Sequence, residues 1–146
     1  MSKHLTYQSY IEKNKGRIIT WFDYVHMVCH LEDIPDDFIF ALINITSPKL
    51  IKIDDMLFLD NLFSYDKYKN EITHEKSKKQ IQYWQNIMLI TDLTESLSYE
   101  NCIKMGEKLV EAWNNKIIAE YNTFQYGKAH LLLDEEEEEV AITIYK

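Results

Sequence analysis

Apolar residues recur along this chain with two different periods, and the switch between them sets out the elements it should form. After Ser98, the residues Cys102, Met105, Leu109, Ala112, Trp113, Ile117 and Tyr121 return every three or four positions. That spacing predicts one amphipathic helix of about six turns. Ser98 is suited to cap its start, Glu100 favours its positive end, and Asn122 can close it in the left-handed conformation. Beyond it the period falls to two. Ala129–Leu133 and Val140–Tyr145 predict two strands bracketing an unbroken run of six acids, Asp134 to Glu139. In the second strand Val140, Ile142 and Ile144 fall on one face, and Ala141, Thr143 and Tyr145 on the other. An isolated hairpin is marginal in water, so the Val/Ile/Ile face is expected to lie against the long helix.

The first half of the chain is patterned mainly as helix. Thr6–Lys15 carries Tyr7, Tyr10 and Ile11 at helical spacing and ends at Gly16. Thr20 opens a second helix, with Asp23 positioned to help cap it and a stripe of Phe22, Val25, Val28 and Cys29. Pro35 with Asp36 and Asp37 predicts a helix over Asp36–Thr46, although the β-prone Phe38–Ile43 leaves a strand open. After Ser47-Pro48, the segments Leu50–Ile53 and Met56–Leu59 flank Asp54-Asp55 and read as a hairpin. The hairpin is expected to be tight, but both aspartates resist positive φ, so a turn longer than two residues stays open. Tyr65–Ile72 and Lys76–Ile90 predict two more helices, the second presenting Ile81, Trp84, Ile87 and Met88 on one face. The expected class is therefore α+β: one domain over residues 1–146, several helices packed on a small, mainly antiparallel sheet, and a C-terminal β-hairpin after a long helix.

Composition narrows the function more than the fold. The formal net charge is -8, and removing the acidic run leaves -2, so the acidity belongs to one turn. Negative charge opposes nucleic-acid phosphates and favours a basic protein partner. With only three glycines, at Gly16, Gly106 and Gly127, no Gly-rich phosphate cradle can form. Cys29 and Cys102 read as free thiols of a reducing compartment. No apolar leader and no stretch long enough to span a bilayer is present, so a cytoplasmic protein is expected, with no cofactor and no membrane partner.

Three groups of residues could carry chemistry. Asp23, His26 and His30 share a helix face at a spacing that can chelate zinc, but the glutamate a zinc protease needs after the first histidine is missing. Such a face is more often the polar side of an amphipathic helix, with Asp23 accepting a hydrogen bond. The run Asp134, Glu135, Glu136, Glu137, Glu138, Glu139 offers hard oxygen ligands without the spacing or central glycine of a calcium loop. It can instead be a solvated turn that deters edge pairing, or a loop that binds a partner. Asp33, Asp36 and Asp37, beside Glu32, form a second acidic group that can cap a helix or extend an acidic surface. No nucleophile elbow or Cys/His signature is present, so a non-enzymatic role is expected. The alternatives are a structural or adaptor protein with a solubilising acidic loop, or a metal-dependent enzyme using Asp23, His26 and His30.

The acidic block Asp134–Glu139 between two strands, the Glu32–Asp37 cluster and the helix bearing Val110-Glu111-Ala112-Trp113 give a chain that resembles, in type, the immunity proteins of bacterial toxin systems. The resemblance spans the whole chain without a residue-by-residue motif. It implies a cytoplasmic inhibitor that neutralises a cognate, basic toxin domain, a nuclease among the possibilities, with the acidic loop covering a cationic cleft.

Overall fold

The computed structural model describes residues 5–146, which divide into two units, residues 5–42 and 43–146. The smaller unit contains α1 (Tyr7–Lys13), α2 (Trp21–Glu32) and the greater part of α3 (Asp36–Thr46). Short polar residues start the first two helices as their spacing predicts. Thr6 and Ser9 form a reciprocal capping box on α1, and Thr20 and Asp23 form another on α2. Helix, not strand, is the outcome over 36–46, with Asp36 and Asp37 in the first turn where the helix dipole favours them. Val25, Val28 and Cys29 line an apolar groove of about 170 Å³ with Phe38, Ile39 and Leu42, while Phe22 is left exposed.

The larger unit is built on the long helix. α6 (Tyr99–Tyr121) has Ser98 as its N-cap and Asn122, in the left-handed conformation, as its C-cap. Its stripe of Cys102, Leu109, Trp113 and Ile117 is buried against Ala129, Val140, Ile142 and Ile144 of the C-terminal hairpin. The hairpin comprises β4 (Lys128–Asp134) and β5 (Glu139–Tyr145), paired in register from Lys128↔Tyr145 to Asp134↔Glu139. Helix and sheet approach so closely at Gly106 that a Cβ there would lie 2.5 Å from Leu131 Cδ1 and 3.3 Å from Val140 Cγ1. The Trp113 indole donates to Ile45 O at 2.8 Å, fastening the start of this unit to the middle of α6.

One expectation is corrected. The helix expected over Lys76–Ile90 is α5 (Lys78–Gln85), capped by Ser77; Met88–Leu89 forms a short strand, β3, followed by a 3-10 turn at Ile90–Asp92. β3 pairs antiparallel with β5, giving the order β3-β5-β4. β5 is therefore central, with α6 on one face and α5 against part of the other, and Val140 to Ile144 are all buried. Its alternating sequence does not mean one wet face, because Ala141 and Thr143 also lose water. Thr143 compensates by donating its hydroxyl to Tyr83 O at 2.6 Å.

In the first hairpin the tight turn is the outcome, and the longer alternative is not. β1 (Leu50–Ile53) and β2 (Met56–Leu59) close through two residues only, with Ile53 paired to Met56. Asp54 (φ 48°) and Asp55 (φ 60°) both occupy the left-handed region. Aspartate tolerates it better than most residues, and Asp54 has outside help: Tyr68 of α4 (Tyr65–Thr73) donates its hydroxyl to Asp54 Oδ2 at 2.6 Å.

Buried amides join this hairpin to the rest of the unit. Asn86 accepts from Leu59 N–H at 2.8 Å and donates to Leu57 O at 2.9 Å and Ile144 O at 3.1 Å. Gln82 donates to Leu57 O and Tyr126 O and accepts from Lys146 N–H. Gln85 accepts from Ser64 N–H at 3.0 Å. Polar side chains occupy the buried face of α5 because they satisfy backbone groups that strand pairing leaves open.

Candidate functional site

The six acids form the far end of the three-stranded sheet. Asp134 and Glu139 are the last paired residues, and residues 135–138 make the connection. The Asp134 side chain shapes it: Oδ1 accepts from the N–H groups of Glu136 and Glu137, both at 3.1 Å. This is the Asx-type local bonding that suits aspartate to turns. Glu138 then takes φ 51°, a conformation that glutamate rarely adopts. Among the described residues no cation pairs with any of the six carboxylates, although salt bridges form elsewhere, as between Lys104 and Glu100 at 2.8 Å. The turn approaches the start of α6, where Tyr99 lies. Burial, and then the carboxylates of Glu135, Asp134 and Glu138, push the Tyr99 hydroxyl pKa up; its oxygen is buried and has no hydrogen-bond partner among the described residues.

Beside this turn the sheet face opposite α6 is only partly covered. α5 lies over the end of β5 near Thr143 and Tyr145, but not over its start near Glu139. Beside it lies a groove of about 650 Å³ lined by Leu132, Leu89 and the buried Ala141, one from each strand. Tyr83, Trp84 and Ile87 bound it at one end, and among the described residues Asp134 and Glu139 are its only charged lining. Trp84 is 55% exposed, in contrast to Trp113 at 1%. The Trp84 ring packs edge-on against Tyr83 (centroids 5.0 Å apart), Tyr83 meets Tyr145, and Tyr145 stacks on His130 at 3.9 Å. The aromatic wall is thus braced from behind, which lowers the entropy lost when Trp84 is covered.

The other expected site residues are placed differently. Asp33 ends α2 in the left-handed conformation, its N–H bonded to Cys29 O, and Asp36 and Asp37 begin α3. They belong to the 5–42 unit, whereas the acidic run and its groove belong to the other. Asp23 is engaged by Thr20, whose N–H and hydroxyl both donate to Oδ2, and these bonds hold its carboxyl pKa below the usual range. Among the described residues no three His, Cys, Asp or Glu side chains come together as a metal-binding group. Cys29 and Cys102 are both free thiols, and no helix among the described residues is long and apolar enough to cross a membrane.

Sequence reasoning missed Trp84, Tyr83, Leu89 and Leu133 as surface residues. Trp84 shares a helical face with Ile81 and reads as core. The available signal was Asn86, which caps α5, followed by Ile87–Ile90, too apolar and too short for another helix. Comparison of the sequence with protein-family models and with curated proteins, and of the fold with solved structures, finds no match.

Proposed function

We propose that this chain is a non-enzymatic protein-binding domain that docks a basic protein on the groove between α5 and the acidic turn. In this reading it acts as an immunity protein, covering the cationic cleft of a toxin domain. The observation that carries the reading is the juxtaposition of six carboxylates, none in an ion pair among the described residues, with a groove bearing an exposed, braced tryptophan. The two parts do complementary work. Unneutralised charge steers encounter and raises the association rate, and a desolvated aromatic anchor slows dissociation. A nuclease toxin fits this chemistry because a cleft built for phosphates presents the lysines and arginines that such a turn would meet.

The test is site-specific photocrosslinking in the native host, with the photoreactive residue replacing Trp84. The expected adduct is a protein with a strongly basic domain, and its yield should fall when residues 135–138 are changed to Gln. Co-expression with that domain should restore growth that the domain alone arrests. Equal adducts from Trp84 and from a distant control position, Lys67, would overturn the reading, as would a captured partner without a basic domain.

A further inference from the structure

The mode of docking can be read from the outer edge of β4. β4 is an edge strand, with β5 on one side only. In an antiparallel pair, successive residues direct their N–H and C=O groups alternately toward and away from the neighbouring strand. The phase is fixed by Ala129: Asn114 Oδ1 accepts from its N–H at 2.8 Å, and Asn114 Nδ2 donates to its carbonyl at 3.2 Å. Both main-chain groups of Ala129 therefore face outward, and α6 supplies a side-chain substitute for a strand neighbour. By alternation Leu131 and Leu133 also face outward. Among the described residues nothing outside the β4–β5 ladder bonds their N–H or C=O groups. The open part of the edge, Leu131 and Leu133, is the part nearest the acids, and both leucines line the groove.

We propose that the partner binds by strand addition: an extended basic segment pairs with Leu131 and Leu133 of β4, running alongside the acidic turn. This rests on the docking reading above and specifies its geometry. Four main-chain hydrogen bonds would form, two at each leucine. Alternate side chains of the added strand would fall on the groove face beside Leu132, and basic residues at one end would meet Asp134–Glu139. Charge selects this occupant over a second copy of the chain. Each copy carries a net charge of -8, and pairing two β4 edges would bring two such acidic surfaces together.

The test uses the full-length, ¹⁵N-labelled chain and a short peptide of alternating lysine and valine. Its control is the same peptide N-methylated at two adjacent residues, which preserves charge and side chains but blocks both strand edges. Amide exchange is followed residue by residue. The expected result is at least about tenfold slower exchange at Leu131 and Leu133 with the first peptide only, together with a shift of the Trp84 indole signal. Leu133→Pro removes an outward N–H without touching the β4–β5 ladder, and it should abolish the protection at Leu131. If both peptides shift Trp84 equally and exchange at the two leucines is unchanged, strand addition is wrong while the docking surface stands. If neither peptide perturbs the groove, both readings fall. Protection that rises with protein concentration in the absence of peptide would assign the edge to a second copy and also overturn the proposal.

Discussion

Replacing Asn86 by alanine should destabilise the 43–146 unit more than any exposed substitution in it. Asn86 is fully buried, and its amide makes three hydrogen bonds, with Leu59 N–H, Leu57 O and Ile144 O. Leu57 O keeps a second donor, Gln82 Nε2 at 3.1 Å. The uncompensated losses are thus the Leu59 N–H and the Ile144 carbonyl. Leaving a buried polar group unsatisfied costs about 1–3 kcal/mol, so Asn86→Ala should lose roughly 2–6 kcal/mol. That corresponds to a fall in thermal midpoint of roughly 4–24 °C for a chain of this size. Urea unfolding followed by the Trp113 indole resonance measures it directly, because that indole reports on the affected unit. The midpoint should move with little change in m. Asn86→Asp separates hydrogen bonding from shape: it keeps the acceptor for Leu59 N–H but sets a carboxylate oxygen against two carbonyls. The aspartate pKa would be raised on folding, so this variant should be most stable in acid and weaken as pH rises through the folded value. A loss under about 1 kcal/mol for Asn86→Ala, or no pH dependence for Asn86→Asp, would refute the claim that this amide joins the first hairpin to β5.

Three further outcomes test the fold. Asp55→Gly relieves a left-handed aspartate in the two-residue turn and should stabilise by roughly 0.5–1 kcal/mol in chemical denaturation. Gly106→Leu forces a side chain between α6 and the hairpin at Leu131 and Val140 and should cost about 2 kcal/mol or more, read as a drop in thermal midpoint. Tyr68 has its pKa raised, first by burial and then by its bond to Asp54. The neutral phenol is the form favoured by folding. Its contribution is complete below about pH 10 and disappears as pH climbs through the folded value. Tyr68→Phe should therefore flatten the alkaline limb of the stability profile.

The long helix was fully legible in the sequence, caps included, because its signals are local: Ser98, Asn122 and a stripe of period near 3.6. The C-terminal hairpin was legible in extent but not in environment. Nothing in Val140–Tyr145 shows that Ala141 and Thr143 will be buried as well. The length of the Asp54-Asp55 turn stayed open because its stabilising partner, Tyr68, lies fourteen residues away. The end of α5 was misread for a similar reason: the bonds that hold its cap, Asn86, in the core reach Leu57, Leu59 and Ile144, all distant in sequence. The candidate site divides along the same line. Its charge is a continuous run that any reader of the chain can see. Its groove exists only because β3 ends after two residues and α5 covers only part of the sheet, and neither fact is local.

The most direct measurement of the central claim is the association rate of this chain with the basic partner captured at Trp84, followed across ionic strength. Residues 135–138 are changed to Gln while Asp134 is kept, because its Oδ1 holds the turn in shape. At low salt the altered chain should associate at least about tenfold more slowly, and its rate should lose most of its salt dependence. Trp84→Ala should leave the association rate nearly unchanged and speed dissociation by roughly 30-fold or more. An unchanged rate and salt slope after removal of the four charges would contradict the account and leave the acids as a solvated turn.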